Sequence, residues 1–167
     1  MSQPFRVAIL TVSDRGSRGE RPADLSAAAI RETLAPAPFD HVVAAYEVVP
    51  DERDAIAARL RAWADGGQAD LILTTGGTGL APRDLTPEAT GDVIERAVPG
   101  LAEAMRAASV AKTPFAILSR GIAGTRGRTL IVNLPGSPKG VRETLATILP
   151  VLPHGLELLR GEDSPHG

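Results

Sequence analysis

Near-continuous apolar runs recur along the chain and are separated by segments in which apolar residues have a helical spacing. Three of these runs, at residues 7–12, 70–74 and 129–133, have the length and composition of strands that are covered on both faces of a sheet. Residues 41–49 and 114–119 are weaker strand candidates. The pattern therefore predicts five strands.

The segments between the apolar runs predict helices at residues 25–34, 52–65, 87–97, 100–109 and 138–159. In the second of these, Ile56, Leu60 and Trp63 lie on one helical face. Pro150 and Pro153 should kink or split the last helix, because proline has no N–H to donate and clashes with the preceding turn. The alternation of strands and helices predicts an α/β domain with a mostly parallel sheet between helical layers.

Length and composition favour one globular domain. The chain has 167 residues, of which 43% are hydrophobic, which is enough for one core but short for two full-sized domains. We expect residues 1–161 to form this domain and residues 162–167 to be a polar C-terminal tail.

The charge balance argues against nucleic acid and membrane partners. The chain has 18 basic and 20 acidic residues, so it lacks the basic surface that both partners require. No apolar segment approaches the ~18 residues of a membrane span, and the N-terminal residues lack a signal-peptide pattern, so we expect a cytoplasmic protein. The absence of cysteine excludes disulfides and thiolate metal sites. Small molecules or other proteins are the expected partners.

Four loops that follow predicted strands contain small or acidic residues, at residues 13–16, 50–52, 75–79 and 133–138. Parallel strands end at one edge of a sheet, where open α/β sheets bind ligands, so these loops should lie together. In the segment TTGGTG, residues 74–79, the glycines would let backbone N–H groups approach phosphate oxygens. A tight turn that needs glycine is the structural alternative. The G-x-G-x-x-G and G-x-x-x-x-G-K-[ST] signatures are absent, which argues against a Rossmann dehydrogenase and a P-loop kinase.

Two predicted helices begin with a hydroxyl residue and a proline, at Thr86-Pro87 and Ser137-Pro138. The hydroxyl predicts an N-cap, and proline suits the first helical position because its missing N–H costs nothing there. Such helix ends also bind anions, but capping alone accounts for both sequences.

Three aspartates lie in or beside these loops, and each has a structural alternative. Asp51 directly precedes a predicted helix and is typical of a cap. Asp14 suits a simple Asx turn. Asp84 lies outside its predicted helix, so its alternative is an exposed carboxylate, alone or paired with Arg83.

If phosphate groups collect at this edge of the sheet, the carboxylates need a counter-charge. Two unit anions ~4 Å apart repel by about 4 kcal/mol at an effective dielectric constant of roughly 20. Magnesium relieves this repulsion by binding carboxylate and phosphate oxygens together while it keeps several waters. Aspartates beside an anion-binding loop therefore predict metal-assisted phosphoryl or nucleotidyl transfer.

A series of motifs resembles the molybdopterin adenylyltransferases, which include bacterial single-domain enzymes and the gephyrin G domain. The motifs are TVSD at residues 11–14, VPDE at 49–52, TTGGTG at 74–79, PRDLTPEAT at 82–90, VPG at 98–100, ILSR at 117–120 and NLPGSP at 133–138. The resemblance runs in order from about Arg6 to Gly161.

This resemblance implies a three-layer α/β/α sandwich, a molybdopterin-binding-domain-like fold that assembles as a homotrimer. It also implies a magnesium-dependent reaction in which ATP adenylylates the phosphate of molybdopterin, giving adenylyl-molybdopterin and pyrophosphate. A molybdate-insertion enzyme is the implied recipient of this product.

The resemblance also implies roles for residues at matching positions. Asp51 and Asp84 correspond to the catalytic acidic residues of the family and are expected to hold magnesium, directly or through water. Neither needs to act as a base, because the attacking phosphate is already ionised near neutral pH. The expected nucleotide contacts are Ser13, Asp14, Gly76, Gly77, Thr78 and Gly79. The expected molybdopterin contacts are Thr75, Ser119, Asn133, Gly136 and Ser137.

Departures from the family pattern concern the substrate contacts and not the metal. Leu80 stands where many relatives have phenylalanine, and Ser26 is not followed by the glycine often found there. Arg83 and Lys139 add positive charge near the loops or are ordinary surface residues.

Two other functions remain open at this point. One is a molybdopterin-binding protein or assembly partner without catalytic activity, and the other is a nucleotidyl or phosphoryl transferase with a different anionic substrate. The segment RDLTP, residues 83–87, favours the enzyme over the binding protein, because binding alone has less need of the acidic group.

Overall fold

A six-stranded sheet organises the computed structural model, which describes residues 2–162. Its strands are β1 (Phe5–Val12), β2 (His41–Val49), β3 (Leu71–Thr75), β4 (Arg96–Ala97), β5 (Ala123–Arg126) and β6 (Thr129–Leu134). The strand order is β2-β1-β3-β6-β5-β4. The first four strands in this order are parallel, whereas β5 runs antiparallel to both of its neighbours.

The helices connect and cover these strands. They are α1 (Asp14–Ser17), α2 (Leu25–Leu34), α3 (Arg53–Asp65), α4 (Thr86–Gly91), α5 (Pro99–Val110), α6 (Pro138–Ile148) and α7 (Leu152–Arg160). Two 3-10 turns lie at Pro114–Leu118 and Leu149–Val151.

Helices cover both faces of the sheet because the central strands are apolar at successive positions. Leu73 and Val132 face a core that is completed by α2, α5, α6 and α7. Ile72 and Ile131, one residue earlier on the same strands, face a second core that is completed by α3 and α4. All four side chains are fully buried. The fold is therefore a three-layer α/β/α sandwich with a mostly parallel sheet, which confirms the predicted fold class.

The apolar pattern predicts the central strands well. The three strong runs and residues 41–49 are all strands, with limits within two residues of those expected. The last predicted helix is divided into α6, a 3-10 turn and α7, which confirms the expected effect of Pro150 and Pro153.

One of the two weaker strand predictions, residues 114–119, is wrong because Pro114–Leu118 forms a 3-10 turn. Its large apolar side chains do not face a core. Phe115 is 77% exposed and Ile117 is 66% exposed.

The helix predicted over residues 87–97 ends at Gly91, and the chain then turns into β4. Backbone N–H groups of Glu95 and Val98 donate to Thr125 O and Ala123 O at 2.7 and 2.9 Å, which ties this segment to β5. The sequence of β5 is AGTR, which contains no apolar run, so the hydrophobic pattern could not reveal either strand.

The remaining expectations concern the ends of the chain and the membrane. Apart from Glu162, the predicted polar tail at residues 162–167 lies outside the described residues. None of the helices within residues 2–162 has the length and hydropathy of a bilayer span.

Asn133 joins the strand β6 to three neighbouring segments. Its side-chain Nδ2 donates to the hydroxyls of Thr74 and Thr90, at 3.0 Å each. Its Oδ1 accepts from the backbone N–H of Ile122 at 3.2 Å. Because the side chain is only 2% exposed, water cannot replace these bonds.

Replacing Asn133 by alanine should therefore lower the free energy of unfolding by about 2–4 kcal/mol, since it leaves several buried polar groups without partners. Urea denaturation measures this loss. The control is Thr33→Ala, which removes only a hydroxyl bond to Ala29 O within α2 and should change the free energy by less than about 0.5 kcal/mol. Equal effects of the two substitutions would contradict the assigned role of Asn133.

Candidate active site

A cavity of about 240 Å³ lies at the carboxyl ends of β1, β3 and β6. We call it the acidic cavity, because three aspartates but only one arginine line it. Its lining includes Ser13, Arg21, Asp24, Asp51, Thr75, Gly76, Gly77, Asp84 and Gly136. The parallel arrangement of the strands thus brings together residues that are far apart in the sequence, as open α/β sheets do at their ligand-binding edge.

Two glycines allow the loop after β3, residues 76–79, to pass close to its neighbours. We call this loop the glycine loop. Gly76 and Gly77 have φ of 98° and 69°, which side-chain-bearing residues rarely adopt. A Cβ atom on Gly76 would lie 2.5 Å from Val12 O, and one on Gly77 would lie 2.3 Å from Thr86 Oγ1. Packing against β1 and α4 therefore requires both glycines.

Thr86 fixes the end of this loop but is not the predicted N-cap. The helix α4 begins at Thr86 itself, and Leu85 takes the N-cap position without a side-chain bond. The Thr86 hydroxyl donates instead to Gly76 O at 2.9 Å, and its backbone N–H donates to Gly77 O at 3.1 Å. The N-cap prediction for Thr86 is wrong because these carbonyl groups of the glycine loop compete for its hydrogen bonds.

The other predicted hydroxyl cap is confirmed. Ser137 is the N-cap of α6, where its Oγ accepts from the backbone N–H of Gly140 at 3.0 Å. Ser13 has the same role at α1, with Gly16 as the donor at 3.0 Å.

Asp51 does not cap the helix that follows it. Glu52 takes the N-cap position of α3, without a side-chain bond. Asp51 Oδ2 accepts instead from the backbone N–H of Asp14 at 2.9 Å, and Asp14 Oδ1 accepts from the backbone N–H of Asp51 at the same distance. The two loops after β1 and β2 are therefore joined by a reciprocal pair of bonds, and the capping interpretation of Asp51 is wrong.

The two members of this pair have opposite electrostatic environments. Arg83 binds both carboxylate oxygens of Asp14, at 2.6 and 2.8 Å, and this contact lowers the pKa of Asp14 to about 2. Burial raises the pKa of Asp51, and the negative charges of Asp14 and Asp84 add to the increase. Asp51 is thus a carboxylate that is costly to ionise without a further cation nearby.

Asp51 and Asp84 both line the acidic cavity, and no basic side chain of residues 2–162 forms an ion pair with either of them. Asp84 Oδ2 accepts from the backbone N–H of Ala81 at 3.0 Å, which holds its carboxylate in the loop before α4. The described residues contain no cluster of three or more His, Cys, Asp or Glu side chains that could hold a metal. Two carboxylates in one cavity match the ligands of magnesium, which takes one or two carboxylates and completes its shell with phosphates and water.

A second cavity of about 190 Å³ lies between α5, the 3-10 turn at Pro114–Leu118 and the start of α6. We call it the apolar cavity. Its lining includes Met105, Arg106, Ser119, Asn133, Pro135 and Ser137. The loop at residues 135–137 separates the two cavities, since Gly136 lines the acidic one while its two neighbours line the apolar one.

Hydrogen bonds hold this dividing loop in place. The Thr75 hydroxyl donates to Pro135 O at 2.7 Å, and the Ser26 hydroxyl donates to Gly136 O at 2.5 Å. Gly136 also lies against the glycine loop, because a Cβ atom added to it would be 3.3 Å from Gly76 Cα.

The structure places half of the predicted nucleotide contacts in the lining of the acidic cavity. Ser13, Gly76 and Gly77 line it, and Asp14 lies beside it in its pair with Asp51. Thr78 is a buried residue of the loop after β3, and its carbonyl accepts from the backbone N–H of Arg120 at 2.8 Å. Gly79 contacts Asp84, since a Cβ atom there would lie 2.9 Å from Asp84 Oδ2.

The predicted molybdopterin contacts are divided between the cavities. Thr75 and Gly136 line the acidic cavity, whereas Ser119, Asn133 and Ser137 line the apolar one. The amide of Asn133 is already bonded to protein groups on both its nitrogen and its oxygen. Its side chain therefore shapes the wall of the apolar cavity.

Sequence reasoning missed several residues at these cavities. Arg21 lines the acidic cavity and makes no hydrogen bond or ion pair with another described residue. Asp24 accepts from the hydroxyls of Thr11 and Tyr46 and caps α2. Arg106 donates to the carbonyls of residues 119 and 121 beside the apolar cavity. Asp24 directly precedes α2, so its capping role has a local sequence signal that could have found it. The other roles depend on contacts that only the folded chain makes.

Comparisons with known proteins agree on one family. A family model with the description "Probable molybdopterin binding domain" matches residues 8–154. A molybdopterin adenylyltransferase of Helicobacter pylori strain J99 is 45% identical over 159 residues, which cover 95% of this chain and 90% of that protein. Gephyrin of Dictyostelium discoideum is 41% identical over 163 residues, which cover 93% of this chain and 23% of gephyrin.

Solved structures give the same result. The crystal structure of the molybdopterin biosynthesis enzyme MoaB from Thermus thermophilus matches with a TM-score of 0.87 and 64% identity. The match covers 95% of this chain and 98% of that one.

The raised pKa of Asp51 gives a stability prediction. Because ionised Asp51 destabilises the folded state, Asp51→Asn should be more stable than the wild type at neutral pH. The difference should disappear as the pH falls below about 3.9, where the carboxyl group is protonated in both states. Thermal unfolding at a series of pH values measures the difference.

Asp14→Asn is the matched comparison, and its change in stability should have the opposite sign to that of Asp51→Asn. The pKa of Asp14 is lowered from 3.8 to about 2, so its ionised form stabilises the folded state above the unfolded pKa, and this contribution is lost as the pH falls from 3.8 through about 2. Asp14→Asn should therefore be less stable than the wild type at neutral pH. The same sign for both variants would refute the electrostatic assignment.

Proposed function

The chain belongs to the molybdopterin-binding domain family, and we propose that it is a molybdopterin adenylyltransferase. It transfers AMP from ATP to the phosphate of molybdopterin and releases pyrophosphate. The similarity to the adenylyltransferase of Helicobacter pylori over nearly the whole chain supports this activity. The structural observation that carries it is that Asp51 and Asp84 line one cavity with the glycine loop, without a basic partner.

In this proposal the phosphates of ATP lie in the acidic cavity. The positive φ values of Gly76 and Gly77 let the backbone at the end of β3 approach an anion closely. Arg21 is the basic side chain among the residues that line this cavity, where its charge also acts on Asp24. It forms no hydrogen bond with another described residue, so its guanidinium is available to contact the triphosphate. Arg83 has a different role, since its two bonds to Asp14 hold the first loop in position.

The molybdopterin ring system lies in the apolar cavity, and its phosphate reaches the dividing loop. The helix α6 begins directly after this loop with Ser137 as its N-cap. The dipole of α6 and the backbone N–H of Lys139, the first N–H of the helix because Pro138 has none, favour a phosphate at that position. The two substrates therefore meet at residues 135–137, where the cavities adjoin.

The transfer step requires alignment and charge neutralisation. A phosphate oxygen of molybdopterin forms a bond to the α-phosphorus of ATP, and the bond from that phosphorus to the β-phosphate oxygen breaks, so that pyrophosphate leaves. The attacking phosphate is already ionised, so no side chain has to remove a proton. Magnesium held by Asp51 and Asp84 would offset the negative charge that collects between carboxylates and phosphates. The protein accordingly acts by orientation and electrostatic stabilisation.

The family resemblance supports further parts of the proposal. Residues 1–161 act as one catalytic domain that assembles as a homotrimer in the cytoplasm. The adenylylated product passes to a molybdate-insertion enzyme. Neither nucleic acid nor a membrane has a part in the reaction.

Incubation with molybdopterin, ATP and magnesium should release pyrophosphate, and Asp84→Asn should lower kcat by about 10²- to 10³-fold, the usual loss of one preorganised electrostatic contact. Molybdopterin affinity should change by less than about threefold. Coupled pyrophosphate detection and equilibrium binding provide the two measurements. Asp65→Asn, whose carboxylate pairs with Arg126 away from both cavities, should leave kcat unchanged.

Two results would count against this function. Molybdopterin binding without ATP consumption would favour the binding protein or assembly partner. An equal loss of turnover and molybdopterin affinity in Asp84→Asn would contradict the metal-holding role of Asp84.

Arg21→Ala should raise KM for ATP by about tenfold, since a charge-assisted bond to phosphate is lost, with little change in kcat. Steady-state kinetics at varied ATP concentration measures the change. Arg142→Ala removes an exposed arginine that pairs with Glu32 on α2 and serves as the control. An unchanged KM in Arg21→Ala would show that this arginine does not contact the nucleotide.

A further inference from the structure

One arginine fastens the loop that carries Asp84. Arg120 Nε donates to Gly79 O at 2.8 Å, and its Nη2 donates to Asp84 O at 2.6 Å. Its backbone N–H donates to Thr78 O at 2.8 Å. A single residue therefore binds the start and the end of the segment at residues 78–84.

The loop between these attachment points has few other constraints. Leu80 is 65% exposed, so its side chain does not fix the loop by packing. The internal bonds form one small turn, in which Ala81 N donates to Asp84 Oδ2 at 3.0 Å and Asp84 N donates to Ala81 O at 2.9 Å. This turn sets the shape of the loop but not its place relative to the rest of the acidic cavity.

Glu88 binds the guanidinium group of Arg120. It forms an ion pair with Arg120 through Oε1, and this contact lowers the pKa of the glutamate. Its second oxygen, Oε2, is buried without a hydrogen-bond partner among the described residues. A buried carboxylate oxygen without a partner is costly, so the arrangement depends on the bond between Arg120 and the other oxygen.

The neighbours of Arg120 are also held firmly. Arg106 Nη1 donates to Ser119 O and to Gly121 O, at 3.0 Å each. The short segment at residues 119–121 is thus anchored beside the apolar cavity, and its central side chain extends to the loop of the acidic cavity. This gives Arg120 a fixed base from which to position Asp84.

We propose that Arg120, held by Glu88, is a positioning residue that sets the place of the Asp84 carboxylate in the acidic cavity. Arg120 does not line that cavity itself, so it acts through Asp84 and not by contact with substrate. The inference rests on the proposed function for its effect on turnover, but its effect on the loop is independent of any activity.

The test uses Arg120→Lys, which keeps the positive charge but cannot reach both carbonyl groups and Glu88 at once. We expect kcat to fall by about 10- to 100-fold, the range for a catalytic group that is slightly misplaced. KM for ATP and for molybdopterin should change by less than about threefold, because the substrate contacts remain. The concentration of magnesium that gives half-maximal activity should rise.

A double-mutant cycle separates positioning from general destabilisation. If Arg120 acts through Asp84, adding Arg120→Lys to Asp84→Asn should lower kcat by less than about twofold further. A double variant whose loss equals the product of the two single losses would overturn the proposal. The matched control is Arg126→Lys, because Arg126 likewise binds a carboxylate, that of Asp65, and a backbone carbonyl, but away from both cavities.

Hydrogen exchange gives a readout that needs no activity. In Arg120→Lys, the hydrogen-bonded backbone amides of Ala81 and Asp84 should exchange about tenfold faster, while those of β1 and β3 should not change. Unchanged exchange in the loop would overturn the proposal. If the wild type shows no adenylyl transfer, the proposed function fails, and the exchange measurement still decides the role of Arg120.

Glu88→Gln covers the case in which Arg120→Lys yields too little folded protein. This variant keeps the arginine and its carbonyl bonds but removes the charge that holds it. Loop exchange should rise in the same amides, with a fall in kcat of about three- to tenfold. A normal exchange rate and normal kcat in this variant would contradict the role of Glu88.

Discussion

The close approach of backbone segments at one edge of the sheet is the constraint on which the site depends. The glycine loop after β3 passes within van der Waals distance of the end of β1 and the start of α4, and only residues without a Cβ atom fit there. Gly76 N also donates to Leu134 O at the end of β6. The same absence of side chains that allows this packing leaves the loop backbone accessible to an anion. Fold and site therefore have a common steric cause.

Two aspartates at this edge of the sheet differ in whether a basic side chain neutralises them. Asp14 is neutralised by Arg83 and contributes to folding, whereas Asp51 has no such partner and is costly to ionise when the cavity is empty of cations. The ionised Asp51 carboxylate lowers the stability of the folded protein. Carboxylates with a pKa raised in this way are common at functional sites. The proposed magnesium and phosphate chemistry gives this arrangement its reason.

The sequence predicted those features that depend on local pattern. The central strands are continuous apolar runs, and Asp84 lies in the loop after one of them, β3, whereas Asp51 follows the edge strand β2. Because β2 and β3 are both parallel to β1, the two loops meet at one edge of the sheet. The short strands β4 and β5 have no such pattern, and the apolar residues Phe115 and Ile117 lie on an exposed turn. Thr86 and Arg120 were missed for another reason, because their partners lie up to 41 residues away and only the folded chain brings them into contact.

The dividing loop at residues 135–137 has a consequence for product release. Under the proposed reaction, each substrate occupies one cavity. The product contains parts of both substrates, so it binds in the acidic cavity and in the apolar cavity at the same time. Release of one half leaves the other half bound, and the local concentration of the freed half favours its return. A product bound at two sites should dissociate slowly. The dividing loop, which creates the two sites, would therefore keep the product bound until an acceptor protein arrives.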